Sequence, residues 1–311
     1  MLSPFAPLVV AVVAGMLCWI IFQLPPPPSV ADFDQFHIAA GAVLRGEDPY
    51  AAVAASGWTR GLMYPLPAVL LTLPVAWLPV AVARSVWVGL GAGLLALAAQ
   101  RYGRGLGIGL LSAPFVTAVA MGQWAPFLTS AAVLPWLGSV LAAKPTIGAA
   151  ILVGFPRPRA LLNALGIVAI SLVVMPNWPI RWLEVLAGNI SSIPFLLPGG
   201  FLLLLGLLRW RTPEGRLIAS LASVPQTISY YDMLPLFLIP RQRAHAYVLA
   251  ALTYVAWYVS AVLVPDTEPQ QLQSVLVRRW PYLLVLVYLP ALAMALGVPP
   301  FRPSAPVPNR L

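Results

Sequence analysis

The chain has 311 residues, 60% of them hydrophobic and only 9% charged, with a mean hydropathy of +0.87. Soluble domains carry about 25% charged residues, so this composition excludes a soluble globular domain. The formal net charge is +9, from 18 Lys and Arg against 9 Asp and Glu. The bases sit in short loops between apolar runs, with no basic and aromatic patch, which excludes nucleic acid as a partner and fits positive-inside topology.

Apolar runs of roughly 16 to 24 residues, the length that spans a hydrocarbon core of about 30 Å, cover 5–24, 65–82, 85–100, 105–121, 124–143, 160–176, 193–208, 217–240, 244–264 and 281–298. They predict an all-α polytopic integral membrane protein with about ten membrane-embedded helices, residues 1–311 forming a single transmembrane domain. Residues 1–24 lack a basic n-region and a small-residue cleavage site before Pro25–Pro28, and read as a retained first helix. The lone cysteine, Cys18, excludes an intrachain disulfide and a cysteine-rich metal site; neither a metal nor a cofactor is expected.

Residues 25–64 form the first loop. Four of the nine acids fall there, Asp32, Asp34, Glu47 and Asp48, against two bases, Arg45 and Arg60. That acidic excess predicts an outer location for the loop and a cytoplasmic N-terminus. From Asp32 to Gly46 the pattern is helical, with Phe33, Phe36, Ala40 and Leu44 on one face and Asp34, Gln35 and Arg45 off it. It predicts an amphipathic helix lying on the membrane surface. Asp32 has two readings: an N-cap completed by Gln35 as a capping box, or a general base at the bilayer surface.

Further along, Arg101/Arg104, Arg157/Arg159, Arg209/Arg211/Arg216 and Arg241/Arg243 cluster in short loops, and Arg157/Arg159 and Arg209–Arg216 are expected to be cytoplasmic. Arg84 and Arg101 flank one run, so one of them must be outside. Of the 34 prolines, Pro126, Pro135 and Pro225 fall inside runs and predict kinked or broken helices. Gln123, within an apolar run, needs a hydrogen-bond partner, from another helix or from substrate. Lys144 is the only lysine, either an interface anchor or a ligand contact. Segment 217–240 has Arg216 and Arg241 at its flanks and Asp232 inside it. Either two half-length helices turn in an outward-open cavity, or one kinked helix seals Asp232 against a neighbour.

Three ordered sets of residues carry a family resemblance. The first is Asp32-Phe33, Ala39-Ala40 and Leu44-Arg45-Gly46-Glu47-Asp48-Pro49-Tyr50. The second is Met63-Tyr64-Pro65-Leu66-Pro67 with Leu78-Pro79, and the third is Gly122-Gln123-Trp124 followed by Lys144-Pro145. Over about residues 5–160 the chain resembles the polyprenyl-phosphate-mannose-dependent mannosyltransferases, glycosyltransferase family 87, of the C-type membrane superfold. Where the family carries a later histidine-bearing element, this chain reads Ser223 to Asp232 without histidine. The resemblance implies transfer of a sugar, mannose in that family, from a polyprenyl phosphate to a lipid or glycan hydroxyl at the outer, periplasmic face of the inner membrane. It implies Asp32 as the base, with Lys144, Arg60 and His37 as candidates for the donor phosphate. Gln123, Tyr231 and Asp232 are candidate substrate contacts. The rival expectation is a non-catalytic polytopic protein, a transporter or a structural subunit of a membrane complex; a transporter predicts internal repeats, and none is visible.

Overall fold

The structure, a computed structural model, describes residues 4–24, 31–58, 61–103, 105–187, 192–264 and 272–297. Every regular element among them is helical: α1 (Ala6–Ile21), α2 (Asp32–Leu44), α3 (Pro49–Ala55), α4 (Leu66–Thr72), α5 (Val80–Tyr102), α6 (Ala113–Met121), α7 (Ala125–Ala131), α8 (Pro145–Gly154), α9 (Pro158–Val174), α10 (Trp178–Ala187), α11 (Pro213–Ser223), α12 (Arg243–Leu263), α13 (Leu272–Leu283) and α14 (Leu289–Leu296). Tighter 3-10 stretches at Leu106–Leu111, Pro135–Ala142, Gly200–Arg209 and Tyr230–Leu238 lie between them, and a π turn at Leu284–Tyr288 joins α13 to α14. The one β-type pairing among the described residues is an isolated antiparallel bridge, Ser192 with Gln226.

Among the described residues, three helices are long and apolar enough to cross a membrane: Val80–Tyr102, Arg243–Leu263 and Val277–Leu296. A fourth crossing is possible if α9 and α10, bent by 99° at their junction, count as one span. Several other apolar runs are cut into shorter pieces where proline or a capping serine intervenes. Run 105–121 breaks at Ser112, whose Oγ accepts from Phe115 N–H as the N-cap of α6. Run 124–143 breaks into α7 and the stretch opened by Pro135. Proline lacks the N–H that an unbroken ladder needs.

α1 and α5 pack antiparallel along glycines. A Cβ on Gly15 would meet Ser85 O at 2.9 Å, one on Gly89 would meet Ala11 O at 2.7 Å, and one on Gly93 would meet Ala11 Cβ at 2.9 Å. Small residues at four-residue spacing let two backbones approach this closely.

α2 does not lie on the surface as its amphipathic stripe predicts. Phe33, Phe36, Ala39 and Ala40 are fully buried inside the protein, while Leu44 is 59% exposed. The reason is an aromatic cluster: Phe36 meets Tyr64 at 4.4 Å between ring centroids and Trp124 at 5.8 Å, and Phe33 meets Trp87 at 5.9 Å. Gln35, expected off the apolar face, is buried too. Asp34 is taken up by Arg84, whose Nε and Nη2 donate to Asp34 Oδ1 at 3.1 and 2.6 Å. The Arg84 guanidinium also lies 3.7 Å from the centroid of the Phe22 ring. A paired Arg84 at one end of α5 and Arg101 at the other accounts for a base at both ends of that run.

The segment expected to be one kinked helix or two halves is a hairpin. α11 leads in from Pro213, residues 224–229 turn, and Tyr230–Leu238 leads back. Its two ends meet: Arg241 Nε donates to Glu214 Oε1 at 3.2 Å. Beside them, Tyr102 OH, at the far end of α5, donates to Leu238 O at 2.8 Å. Arg216 and Arg241 thus share one end of the molecule, opposite the end that carries Asp34 and Arg84.

Candidate functional site

The turn of that hairpin, the start of α2 and the residues around Lys144 enclose a cavity of about 420 Å³. Asp32, Lys144 and Tyr231 all line it.

Asp32 is held from two sides. The N-cap of α2 is Ala31, and its N–H donates to Asp34 Oδ2 at 3.2 Å. Asp34, at the third helical position, reaches back to the N-cap N–H, and Asp32 is the first helical residue. The capping box with Gln35 is absent, because the helix starts at Asp32, one residue earlier than it would with Asp32 as its cap. Asp32 Oδ2 instead accepts from Gln123 Nε2 and, at 3.3 Å, from Tyr231 OH. Gln123 Oε1 in turn accepts from Tyr64 OH at 3.1 Å. Two neutral donors thus fix the aim of the Asp32 carboxylate.

Local backbone makes this contact possible. Gly122 closes α6 in the left-handed conformation at φ 64°. A Cβ there would meet Phe33 Cβ at 2.6 Å. Glycine alone both adopts this φ readily and admits Phe33, so the chain can deliver Gln123 to Asp32 and Trp124 to the aromatic cluster.

Lys144 is the N-cap residue of α8. Its Nζ donates to Asp232 Oδ1 and lies 5.0 Å from the centroid of the Tyr231 ring. Tyr231 therefore meets both groups, the Asp32 carboxylate through its hydroxyl and the Lys144 ammonium at its ring. Asp232 is buried behind Lys144, and its other oxygen accepts from Thr227 Oγ1 at 3.2 Å. The turn that supplies Thr227 is strained: Ile228 has φ 56°, a region that β-branched residues rarely adopt. Such strain persists where the surroundings over-determine it; here the neighbours are the Ser192–Gln226 bridge and the Thr227–Asp232 bond.

The structure thus brings together Asp32, Gln123, Lys144, Tyr231 and Asp232. It places His37 elsewhere: His37 Nε2 bonds Leu78 O at 2.9 Å. A carbonyl only accepts, so Nε2 carries the proton and is committed to the backbone, and His37 is not among the residues that line the cavity. Arg60 lies outside the described residues; Asp48, a partner considered for it, accepts from Arg181 at 3.1 Å and caps α3. Arg279 was not foreseen. It lines the same cavity, and its Nε and Nη2 donate to Val264 O at 3.2 and 2.8 Å. The signal was the Arg278-Arg279-Trp280 triplet just ahead of the last apolar run. Trp182 of α10 was likewise missed: it roofs the cavity, with its Nε1 donating to Met63 O at 3.0 Å.

No family model, curated protein or solved structure matches this chain.

Proposed function

We propose that this chain is a glycosyltransferase resembling family 87. It would lie in the inner membrane with about ten membrane-embedded segments and its active site open to the periplasmic side. It moves a sugar, mannose by the resemblance, from a polyprenyl phosphate to a hydroxyl of a lipid or glycan acceptor. The observation that carries the reading is one cavity lined by both a carboxylate, Asp32, and an ammonium, Lys144, each lying against Tyr231.

The chemistry needs little else. Asp32 takes the proton of the acceptor hydroxyl as that oxygen bonds to the sugar C1. The bond from C1 to the phosphate oxygen breaks, and its electron pair leaves with the polyprenyl phosphate. Charge grows on that phosphate, so fixed cations at the leaving-group side lower the barrier. Lys144 supplies one: an ammonium has three donors, and Asp232 holds and orients it while taking one. Arg279 is a second cation in the same wall.

Asp32→Asn tests this. Asparagine can still accept from Gln123 and Tyr231, but it cannot take the proton. The expected result is an inserted, folded protein whose transfer from a polyprenyl-phosphate sugar drops about 10²–10⁴-fold. Undiminished transfer in Asp32→Asn rejects the base assignment. A second reading, a transporter, has one observation in its favour, the hairpin whose polar turn lies in the cavity. Uptake of the sugar lipid without hydrolysis or transfer, unaltered in Asp32→Asn, would support it.

A further inference from the structure

Three polar side chains in the cavity wall carry groups that satisfy no protein partner among the described residues. Gln35 stands three residues after Asp32 on α2, on the same face one turn along, and is 2% exposed. Its Oε1 accepts from Met63 N–H at 3.3 Å, which fixes the amide plane and leaves its nitrogen without a protein partner. Gln226, 3% exposed, donates from Nε2 to Leu221 O at 2.6 Å, and its Oε1 has no partner. The indole Nε1 of Trp58 has none either. All three residues line the cavity that holds Asp32.

We propose that Gln35, Trp58 and Gln226 form a subsite that reads the hydroxyls of a sugar. The chemistry selects the ligand class. The Gln35 amide nitrogen and the Trp58 indole only donate, whereas the Gln226 oxygen only accepts. An apolar occupant would leave all three unmet. An anion accepts without donating, so it would leave Gln226 unmet. A polyol meets them all, because each hydroxyl both donates and accepts. The Trp58 and Trp182 indoles in the same wall give the C–H face of a pyranose an apolar surface. Met63 ties the subsite together, its N–H bound to Gln35 and its carbonyl to Trp182. As the sugar site of the donor, the assignment rests on the proposed transfer, but binding tests it without turnover.

The experiment uses full-length protein in nanodiscs and three probes: farnesyl phosphate, farnesyl-phosphoryl mannose and methyl α-mannoside. The expected result is that the sugar-bearing lipid binds at least about tenfold more tightly than farnesyl phosphate, the value of one good hydrogen bond of about 1.4 kcal/mol. That ratio should fall toward one in Gln35→Leu and in Gln226→Leu, with farnesyl phosphate binding unchanged. Gln35→Glu guards against a folding defect: it keeps an oxygen for Met63 N–H and removes the donors, so it too should lose the ratio. If farnesyl phosphate binds as well as the mannosyl lipid and the variants change neither, the subsite is overturned while a lipid-phosphate site survives. If methyl α-mannoside binds in a Gln35-dependent way but neither lipid does, the subsite stands and the donor reading falls. No binding of any probe overturns both.

Discussion

Arg84 shows how single residues are settled in this molecule. Arg84 is 7% exposed, and a lone charge in such a place carries a desolvation penalty of several kcal/mol. Asp34 meets it with two hydrogen bonds, Phe22 covers its face, and Asp34 also takes the Ala31 N–H at the start of α2. Removing one partner is therefore worse than removing both. Asp34→Ala should lower stability by about 3–5 kcal/mol, whereas Asp34→Leu with Arg84→Met should recover most of the loss. Thermal unfolding of the purified variants reads this; a double variant that loses the sum of what Asp34→Leu and Arg84→Met lose singly would mean the pair contributes no coupling. None of it was legible in the sequence, because Asp34 and Arg84 stand 50 residues apart and neither carries a local sign of the other. The same holds for the 88 residues between Lys144 and Asp232. The two residue types were legible as chemistry in an apolar chain, their pairing was not. The place of His37 was hidden for a related reason: a backbone carbonyl at Leu78 cannot be seen as a competitor in a list of side chains.

Elements follow the sequence where spacing is strict and depart from it where proline intervenes. Ser85, Gly89 and Gly93 recur every four residues, and α1 docks on that stripe. Gly89→Ala would push its Cβ to 2.7 Å from Ala11 O, a backbone atom that cannot swing aside. It should destabilise by about 1–3 kcal/mol, the usual range for overpacking. Gly166, inside α9, has nothing within 4 Å of a Cβ. Gly166→Ala should stabilise by about 0.5–1 kcal/mol through helix propensity alone. Opposite signs for the two substitutions in one unfolding assay would confirm that packing, not propensity, decides at Gly89; a neutral or stabilising Gly89→Ala would refute the close approach. The periodicity of α2 was equally legible, but not what covers it. An apolar stripe fits a membrane surface and a protein core alike, and the aromatic partners Tyr64, Trp87 and Trp124 come from three distant segments.

At the scale of the whole molecule, charge divides between two ends. One holds Asp34 with Arg84, Asp48 with Arg181, and the cavity; the other holds Glu214 with Arg241 and Arg216 bound to Val153 O and Gly154 O. Positive-inside topology assigns the second end to the cytoplasm. The hairpin makes that assignment testable, because a re-entrant segment and a crossing helix place residue 242 on opposite sides. In a Cys18→Ala background, single cysteines at Ser56, Thr212, Ser229 and Gln242 should divide cleanly toward an impermeant thiol reagent added to intact cells or spheroplasts. Ser56→Cys, in the first loop, and Ser229→Cys, in the cavity wall, should label from outside. Thr212→Cys and Gln242→Cys should label only after the membrane is opened, since the Glu214–Arg241 pair joins the segments that carry them. Outside labelling of Gln242→Cys with Thr212→Cys protected would make residues 213–241 a crossing and undo the hairpin as a re-entrant element. Labelling of Thr212→Cys from outside with Ser56→Cys protected would invert the molecule. That result would put Asp32 on the cytoplasmic face, away from the periplasmic acceptor on which the proposed transfer depends.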